Sequence, residues 1–212
     1  MWINLVNLFT KVTAWPVQWI CFRTKILYED KSVQGRRIRG SAIVISNHTS
    51  VFDYAVFLFV FLSRTLRYQM AEVLFEKIPL GYLLKGLGGI RIDRNNYDFS
   101  FLSRSEAILK AGGVVGIFPE SRLALPGEER PLPFKPSAAY LALQSHVPVI
   151  PVYTNGSYFQ KKRAVVLIGT PMDVSSFVDP ASDEKEQIEA ANKAMRDRII
   201  ALEKEYHART QT

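Results

Sequence analysis

Residues 41–62 read SAIVISNHTSVFDYAVFLFVFL, and this stretch sets the fold class. Residues 41–46 are rich in β-branched side chains, which is typical of a buried strand. Residues 54–62 are apolar throughout and predict a buried helix that begins near Ser50, because nine residues are too few to cross a bilayer. A strand that passes through a short polar loop into a helix is the repeating unit of parallel α/β sheets.

The rest of the chain repeats this alternation. Strands are predicted at 67–73, 90–92, 114–118, 147–153 and 164–168, and helices at 79–87, 101–111, 136–145 and 183–207. The sequence therefore predicts an α/β fold, with a single domain whose mostly parallel sheet is flanked by helices. The segment VPVIPV at 147–152 carries two prolines, which favour an edge strand or a bulge.

The composition excludes several classes of protein. The single cysteine, Cys21, leaves no disulfide framework and no multi-cysteine metal site. The three histidines, His48, His146 and His207, lie far apart and no HExxH is present, so we predict no bound metal. The sequence has neither GxxxxGK[ST] nor GxSxG, which argues against P-loop nucleotide hydrolases and ordinary α/β-hydrolases.

The first 28 residues, MWINLVNLFTKVTAWPVQWICFRTKILY, contain no uninterrupted apolar run of 18, so a membrane-spanning helix is not indicated. Pro16 divides this segment, and its first half places Asn4, Asn7 and Lys11 three and four residues apart. That spacing puts them on one face of a helix whose remaining surface is apolar. We therefore expect a pair of amphipathic helices in a membrane interface, with the polar face in water. Packing of these helices on the protein's own core is the alternative.

Charge and aromatic residues favour a membrane partner for this segment. The net charge of +7 points to an anionic partner. All three tryptophans lie within the first 19 residues, where indoles suit the headgroup boundary, and basic residues are crowded into the first 40. An anionic membrane surface therefore fits better than nucleic acid. We divide the chain into membrane-interface helices at 1–30 and a second, larger unit at 31–212.

Residues 47–53, NHTSVFD, place a histidine and an aspartate where the predicted strand gives way to the predicted helix. Inside a helix a five-residue spacing sets two side chains about 140° apart, so His48 and Asp53 meet only if His48 lies in the loop. Asp53 would then hold one imidazole nitrogen and leave the other to act as a general base. Alternatively, Ser50 and Asp53 form a capping box, and His48 bonds to the backbone.

Two further segments carry charged residues next to predicted strands. Residues 88–94, GGIRIDR, combine two glycines, which admit close approach of a ligand, with two arginines, which suit a phosphate. Residues 118–122, FPESR, place a carboxylate and a guanidinium at the carboxyl end of a strand, where α/β folds bind ligands. The structural alternatives are solvated charges on an edge strand and a surface ion pair between Glu120 and Arg122.

Taken in order, NHTSVFD, GGIRIDR, FPESR and VPVIPV resemble the four sequence blocks of the glycerolipid acyltransferases, in particular the PlsC-type 1-acylglycerol-3-phosphate (lysophosphatidic acid) acyltransferases. The likeness covers residues 40–170 and includes the spacing from His48 to Asp53. It implies that 31–212 form an acyltransferase domain, which moves a fatty acyl group from a thioester to a hydroxyl of a lysophospholipid. With 1-acylglycerol-3-phosphate as the acceptor, the product would be phosphatidic acid.

The resemblance also implies roles for individual residues. His48 would be the general base and Asp53 would orient it, with no acyl-enzyme formed. Seven residues would line the acceptor site: Asn47, Gly89, Arg91, Arg94, Glu120, Ser121 and Arg122. The co-substrate would be acyl-CoA or an acyl-acyl carrier protein, with no other cofactor and no metal. The protein would be monotopic, on the cytoplasmic face of the inner membrane.

The third block departs from the family pattern. The family usually has Phe-Pro-Glu-Gly-Thr-Arg, whereas here Ser121 alone separates Glu120 from Arg122. The acceptor is therefore open to other lysolipids, such as a lyso-ornithine lipid. Two other classes of protein also stay open: a non-catalytic binder of anionic lipids, and a serine hydrolase that uses Ser50 or Ser121 with His48.

Overall fold

A seven-stranded sheet forms the centre of the computed structural model, which describes residues 2–93, 98–160 and 163–210. Within these ranges the strands are β1 (Lys25–Tyr28), β2 (Ala42–Ser46), β3 (Leu66–Ala71), β4 (Ile90–Ile92), β5 (Val114–Ile117), β6 (Val149–Thr154) and β7 (Val165–Ile168). Their order across the sheet is β1-β7-β6-β2-β5-β3-β4. Neighbouring strands run parallel apart from β6 and β7, which pair antiparallel. The predicted α/β fold with a mostly parallel sheet is confirmed.

Helices cover both faces of this sheet. They are α1 (Trp2–Thr13), α2 (Trp15–Val17), α3 (Asp53–Val60), α4 (Glu72–Glu76), α5 (Leu80–Gly86), α6 (Ser100–Lys110), α7 (Ser137–Ser145) and α8 (Glu184–Thr210). A π-helical turn at Gln18–Phe22 follows α2, and a 3-10 helix at Val174–Phe177 precedes α8. The helices predicted from the apolar runs are present, whereas the short α4 was not predicted.

The central strand β2 shows why helices are needed on both faces. All five of its residues are buried, and successive side chains point to opposite faces of the sheet. Val44 packs with Phe57 of α3 on one face. Ile43 and Ile45 pack on the other face, in a cluster that includes Leu141 of α7 and residues of α6 and α8. Burial on both faces explains why this strand is apolar throughout instead of alternating.

Strand β6, which contains one of the two prolines of VPVIPV, lies inside the sheet between β7 and β2. The expectation of an edge strand is therefore wrong. The alternative, a bulge, is what the pairing shows: Val149 bridges Met172, whereas Val152 pairs with Ile168, so the opposite side carries one extra residue. Pro151 lies between these two pairs, where its missing N–H interrupts no regular ladder.

The first strand begins inside the segment that was predicted to be helical. Lys25–Tyr28 form β1 and pair in parallel with β7 at one edge of the sheet. Residues 25–28 of the predicted 1–30 segment therefore belong to the sheet and not to the interface helices. Four residues are too few for hydrophobic periodicity to separate a strand from a helix, which is why this strand was missed.

Helix α1 packs against the protein with its polar face. The side chain of Asn7, which is 2% exposed, donates a 3.0 Å hydrogen bond to the carbonyl of Leu87. Lys11 donates to the carbonyls of Leu62 and Arg64 at 3.1 and 2.9 Å. These carbonyls lie at or just beyond the ends of α5 and α3, where intrahelical donors are missing. The prediction that this polar face lies in water is therefore wrong for Asn7 and Lys11, whereas Asn4 on the same face is exposed.

The apolar face of α1 points away from the protein. Its large side chains are between 58% and 69% exposed: Trp2, Leu5, Leu8, Phe9 and Val12. Trp19 and Ile20 of the π-helical turn extend this surface, at 74% and 64% exposure. Among the described residues, no helix combines the length and the apolar character needed to cross a membrane.

Candidate active site

Two of the polar residues singled out in the sequence, His48 and Glu120, lie with Tyr158 at one edge of the sheet. Strands β6, β2 and β5 are adjacent and parallel, so their carboxyl ends meet at this edge. His48 follows β2, Glu120 follows β5 and Tyr158 follows β6. Open α/β sheets bind their ligands outside the carboxyl ends of the strands. The edge is therefore the candidate active site.

His48 and Asp53 form the predicted pair. His48 lies in the loop after β2, and Asp53 is the first residue of α3, as the spacing requires. The imidazole Nδ1 of His48 lies 2.8 Å from Oδ2 of Asp53, whose side chain is fully buried. A carboxylate only accepts hydrogen bonds, so Nδ1 carries the proton and Nε2 keeps a free lone pair. The pair therefore has the geometry of an oriented general base.

Asp53 also holds the loop that carries His48. Its Oδ2 accepts hydrogen bonds from the backbone N–H groups of Thr49 and Ser50, at 2.7 and 2.9 Å. Its Oδ1 accepts from the hydroxyl of Thr49 at 2.8 Å. The bond from the Ser50 N–H is the Asp53 half of the predicted capping box, but the N-cap of α3 is Phe52 and makes no side-chain cap hydrogen bond, so the box is not completed. The alternative that the His48 imidazole bonds to the backbone is also wrong, because its Nδ1 contacts Asp53. One carboxylate thus holds both the loop backbone and the imidazole.

Tyr158 is a residue at this site that the sequence did not reveal. Its hydroxyl lies 2.6 Å from Oδ1 of Asp53, and the side chain is 6% exposed. Tyr158 is 105 residues from Asp53 along the chain, and only the pairing of β2 with β6 brings them together. The signal in the sequence, Asn155-Gly156-Ser157-Tyr158 after a strand, is typical of many turns.

Glu120 is buried, and its carboxylate binds two backbone N–H groups. Oε1 accepts from His48 and Oε2 from Leu132, each at 2.7 Å. Burial raises the pKa of Glu120, while these two hydrogen bonds act in the opposite direction. These contacts tie the His48 loop to the loop after β5, and the acceptor role of Glu120 stays a prediction. The predicted surface pair with Arg122 is not formed, because Arg122 binds Glu128.

Asn47 similarly links the end of β2 to the end of β6. Its side-chain amide donates to the carbonyl of Thr154, and its oxygen accepts from the N–H of Thr154, both at 2.8 Å. The side chain is 8% exposed. Both hydrogen-bonding ends of Asn47 are therefore engaged within the protein, and its contact with the acceptor stays a prediction. Asn47 fixes the start of the loop that carries His48 relative to β6, which Tyr158 follows.

The altered third block has an unusual backbone at Ser121, which lines an apolar cavity together with His48. Ser121 has a φ of 59°, in the left-handed region where the family glycine would be unstrained. Arg122 does not line this cavity. Instead its guanidinium makes a two-pronged ion pair with Glu128, at 2.6 and 2.7 Å. This pairing lowers the pKa of Glu128 to about 2.

The second block lies at the far edge of the sheet. Arg91, on β4, has a side chain that is 48% exposed and lies 3.7 Å from Asp93. A side chain at Gly89 would meet the Leu84 carbonyl and the Phe75 ring at 3.1 Å, so tight internal packing explains this glycine. Arg94 lies outside the described residues. Of the two predicted arginines, the structure therefore describes only Arg91, which is half-exposed and paired with Asp93.

An apolar cavity of about 930 Å³ opens beside the imidazole of His48. One wall comes from α2 and the turn after it, and others come from α3 and α5, with Val17, Leu58 and Leu83 as examples. The His48 ring stacks on Phe118 at 4.4 Å between centroids, which fixes the plane of the ring at the cavity wall. Lys135 also lines the cavity and is a cation among its lining residues. The volume is within the range of small-molecule sites.

Comparison with known proteins gives consistent matches. The Acyltransferase family model matches residues 25–155. A 1-acyl-sn-glycerol-3-phosphate acyltransferase from Limnanthes alba is 32% identical over 167 residues, which are 77% of this chain and 56% of that protein. A protein of the same description from Bacillus subtilis is 26% identical over 166 residues, or 76% of this chain and 80% of its own length. This chain thus spans little more than half of the plant relative.

The fold is also found in a solved structure. The crystal structure of the 1-acyl-sn-glycerophosphate acyltransferase from Thermotoga maritima superimposes with a TM-score of 0.64 at 21% sequence identity. The alignment covers 95% of this chain and 79% of that one. At this identity the likeness concerns the fold, and it extends beyond the matched segment 25–155 to the N-terminal helices and α8.

Proposed function

The chain belongs to the acyltransferase family, and from that premise we propose that it transfers a fatty acyl group from a thioester to the hydroxyl of a lysophospholipid. The acceptor we propose is 1-acylglycerol-3-phosphate, because the relatives from Limnanthes and Bacillus carry that name. The product would then be phosphatidic acid. The donor would be acyl-CoA or an acyl-acyl carrier protein, and the reaction needs no further cofactor.

The observation that carries this proposal is the His48–Asp53 pair at the wall of an apolar cavity. Nε2 of His48 takes the proton from the acceptor hydroxyl while the oxygen attacks the thioester carbonyl carbon. The new ester C–O bond forms, the C–S bond breaks, and the departing thiolate takes up the proton from the imidazolium. Asp53 stabilises the imidazolium and keeps its orientation throughout.

The cavity suits the fatty chains of the substrates. Its lining is mainly aliphatic and aromatic, and it includes Val17 of α2 and Leu58 of α3. Burying methylene groups there is favourable by about 0.8 kcal/mol each. We therefore place an acyl chain in this cavity, with its carbonyl end beside His48.

Two cations are proposed to bind the acceptor phosphate. Lys135 lines the cavity with His48. Arg91 lies outside this cavity, on the edge strand β4, and is half-exposed in an ion pair with Asp93 at 3.7 Å. Arg122 would have to break its ion pair with Glu128 to bind the phosphate, because both terminal nitrogens of its guanidinium donate to that carboxylate. We therefore assign the phosphate first to Lys135 and Arg91, and keep Arg94 as a proposed contact from the sequence.

We further propose that the protein is monotopic and lies on the cytoplasmic face of the inner membrane. The exposed apolar face of α1, with Trp2 and Phe9, would enter the leaflet. Trp15 and Trp19 would lie at the headgroup boundary, near the exposed Arg23. Since the helical segment after α1 also forms a wall of the cavity, a lysolipid could pass from the leaflet to His48 without crossing water.

The test is a panel of lysolipid acceptors offered to the purified protein with acyl-CoA and, separately, with an acyl-acyl carrier protein. Mass spectrometry should find phosphatidic acid as the main product, and none with His48→Ala. Absence of an acylated product with every acceptor would overturn the enzymatic proposal and leave a lipid binder. A different acylated lysolipid as main product would overturn the acceptor. Labelling by a fluorophosphonate probe at Ser50 or Ser121 would instead indicate a hydrolase.

A further inference from the structure

We infer that Tyr158 is a positioning residue for the acyl transfer, which fixes the Asp53 carboxylate so that Asp53 in turn holds His48. The inference rests on the proposed function and adds to it a third residue, from a loop outside the four sequence blocks. The hydroxyl of Tyr158 lies 2.6 Å from Oδ1 of Asp53. His48 binds the other oxygen, Oδ2, at 2.8 Å. The three side chains therefore form one continuous chain of hydrogen bonds.

The direction of each bond follows from counting protons. The carboxylate of Asp53 has none to give, so the Tyr158 hydroxyl donates to it. The hydroxyl of Thr154, 3.0 Å from that of Tyr158, must then donate to the tyrosine oxygen. Burial raises the pKa of Tyr158, so the phenol keeps its proton. The Thr154 hydroxyl therefore donates to the Tyr158 oxygen, and the Tyr158 hydroxyl donates to Asp53.

The two oxygens of Asp53 meet different donors. Oδ2 faces Nδ1 of His48 and two backbone N–H groups, whereas Oδ1 faces the hydroxyls of Thr49 and Tyr158. Without Tyr158, Oδ1 would keep one hydroxyl partner in a site with no exposed surface. The carboxylate could then rotate and exchange its oxygens, and the imidazole would lose its fixed orientation.

Packing of the Tyr158 ring and of its loop holds the Tyr158 hydroxyl in a fixed position. The Tyr158 ring packs edge-on against Phe22 at 5.6 Å between centroids and belongs to the buried core. The loop before it is seated against the catalytic loop at Gly156, where a side chain would lie 2.6 Å from the hydroxyl of Thr49. The loop after β6 is therefore packed directly on the loop that carries His48.

The test compares Tyr158→Phe with Tyr153→Phe. Tyr153 is a matched control, because it is equally buried and its hydroxyl is 3.4 Å from Glu203, away from the catalytic loop. Losing a hydrogen bond to a charged group predicts a fall in kcat of roughly tenfold or more for Tyr158→Phe, with both KM values unchanged. Tyr153→Phe should keep the wild-type kcat. Melting temperatures of both variants are measured alongside.

The pH profile separates positioning from a general loss of stability. Without the Tyr158 donor, Asp53 carries more negative charge toward His48 and favours the imidazolium, so the acid limb of kcat/KM should move to higher pH. Other ionisable groups near the pair are Glu120 from the loop after β5 and Tyr68 from β3. Tyr54 of α3 and Lys135 line the same cavity as His48. They are the same in both variants. An unmoved acid limb with wild-type kcat would overturn the inference.

Two further measurements cover the remaining outcomes. If Tyr158→Phe does not fold, Thr154→Val removes the donor to the tyrosine oxygen and should lower kcat in the same direction; no change would overturn the inference. If the wild type acylates no acceptor, the proposed function fails, but proton NMR of the free protein still reports the Nδ1–H of His48. That downfield resonance should shift in Tyr158→Phe and not in Tyr153→Phe, and an unshifted resonance would overturn the positioning role.

Discussion

The ammonium group of Lys11 donates a 3.1 Å hydrogen bond to the carbonyl of Leu62, just beyond the end of α3. A second bond, to the carbonyl of Arg64, completes the contact. Helix α1 is therefore attached through its polar side, which leaves its apolar side uncovered. A helix that bound an ordinary hydrophobic core would be oriented the other way.

We expect Lys11 to make stability depend on pH. Burial lowers the pKa of Lys11 to about 8, below its ordinary value of 10.5, which the unfolded chain should show. Between these values the unfolded chain binds more protons, so the contribution of Lys11 to the free energy of unfolding rises with pH. The gain should be roughly 1 kcal/mol by pH 9. Urea unfolding between pH 7 and 9.5 measures it, and the Lys11→Met protein should lack this rise.

His48→Ala should remove acyl transfer without unfolding the protein. General-base catalysis contributes on the order of 10²–10⁴-fold, so turnover should fall by at least that factor. The His48 side chain is 20% exposed, and its loss leaves the Asp53 contacts to the backbone in place. His207→Ala, on the exposed side of α8, is the matched control. Near-normal turnover in folded His48→Ala protein would refute the assignment.

The Gly156 position should be sensitive because two loops meet there. Gly156 has a φ of +64°, and an added Cβ would lie 2.6 Å from Oγ1 of Thr49. Gly156→Ala should therefore displace Thr49 from Asp53 and lower kcat by roughly tenfold, the loss expected for a weakened hydrogen bond to a charged group.

Gly112 provides the control for backbone strain alone. Its φ is +79°, but an added Cβ would meet nothing within 4 Å. Gly112→Ala should cost about 1–2 kcal/mol of stability, as left-handed alanine does, and leave kcat unchanged. Equal kcat in the two variants would show that contact with Thr49 has no catalytic consequence.

Arg91→Ala should weaken the phosphorylated acceptor and not the donor. A charge-assisted hydrogen bond contributes about 1.5–3 kcal/mol, so the acceptor KM should rise roughly tenfold or more if binding is at equilibrium. Arg104→Ala, at an exposed position on α6, is the control. A rise confined to the KM of the acyl donor would show that Arg91 does not bind the acceptor phosphate.

The local spacing of His48 and Asp53 made their contact predictable, whereas the contacts across the sheet were not predictable. His48 and Asp53 are five residues apart, one in the loop after β2 and the other at the start of α3, so their meeting depends on a single strand–helix boundary. The roles of Glu120 and Tyr158 depend on which strands become neighbours, and no local pattern encodes this. The orientation of α1 on the protein was not predicted for a related reason. Periodicity identifies a polar helix face, but it does not show that this face will contact backbone carbonyls beyond the ends of other helices.

The last prediction concerns the exposed apolar face of α1. Replacing Leu5 and Phe9, which are 58% and 68% exposed, with glutamine should abolish binding to anionic vesicles without lowering the melting temperature, because neither is buried in the free protein. Activity on bilayer lysolipid should fall, with little loss on a detergent-dispersed short-chain acceptor. Leu125→Gln, at a 65% exposed position after the third block, is the control and should change nothing.

The variant with glutamine at positions 5 and 9 also distinguishes membrane binding from internal packing. Deleting the whole segment would not, because the deletion would also remove the buried contacts of Asn7 and Lys11. Vesicle flotation and melting temperature are therefore measured on one sample. Loss of both would show that the face packs within the protein. A tag before Met1 completes the test: it should be accessible only from the side that carries the catalytic domain, since a helix lying in one leaflet keeps both ends on that side. Accessibility from the opposite side would establish a span and contradict the monotopic proposal.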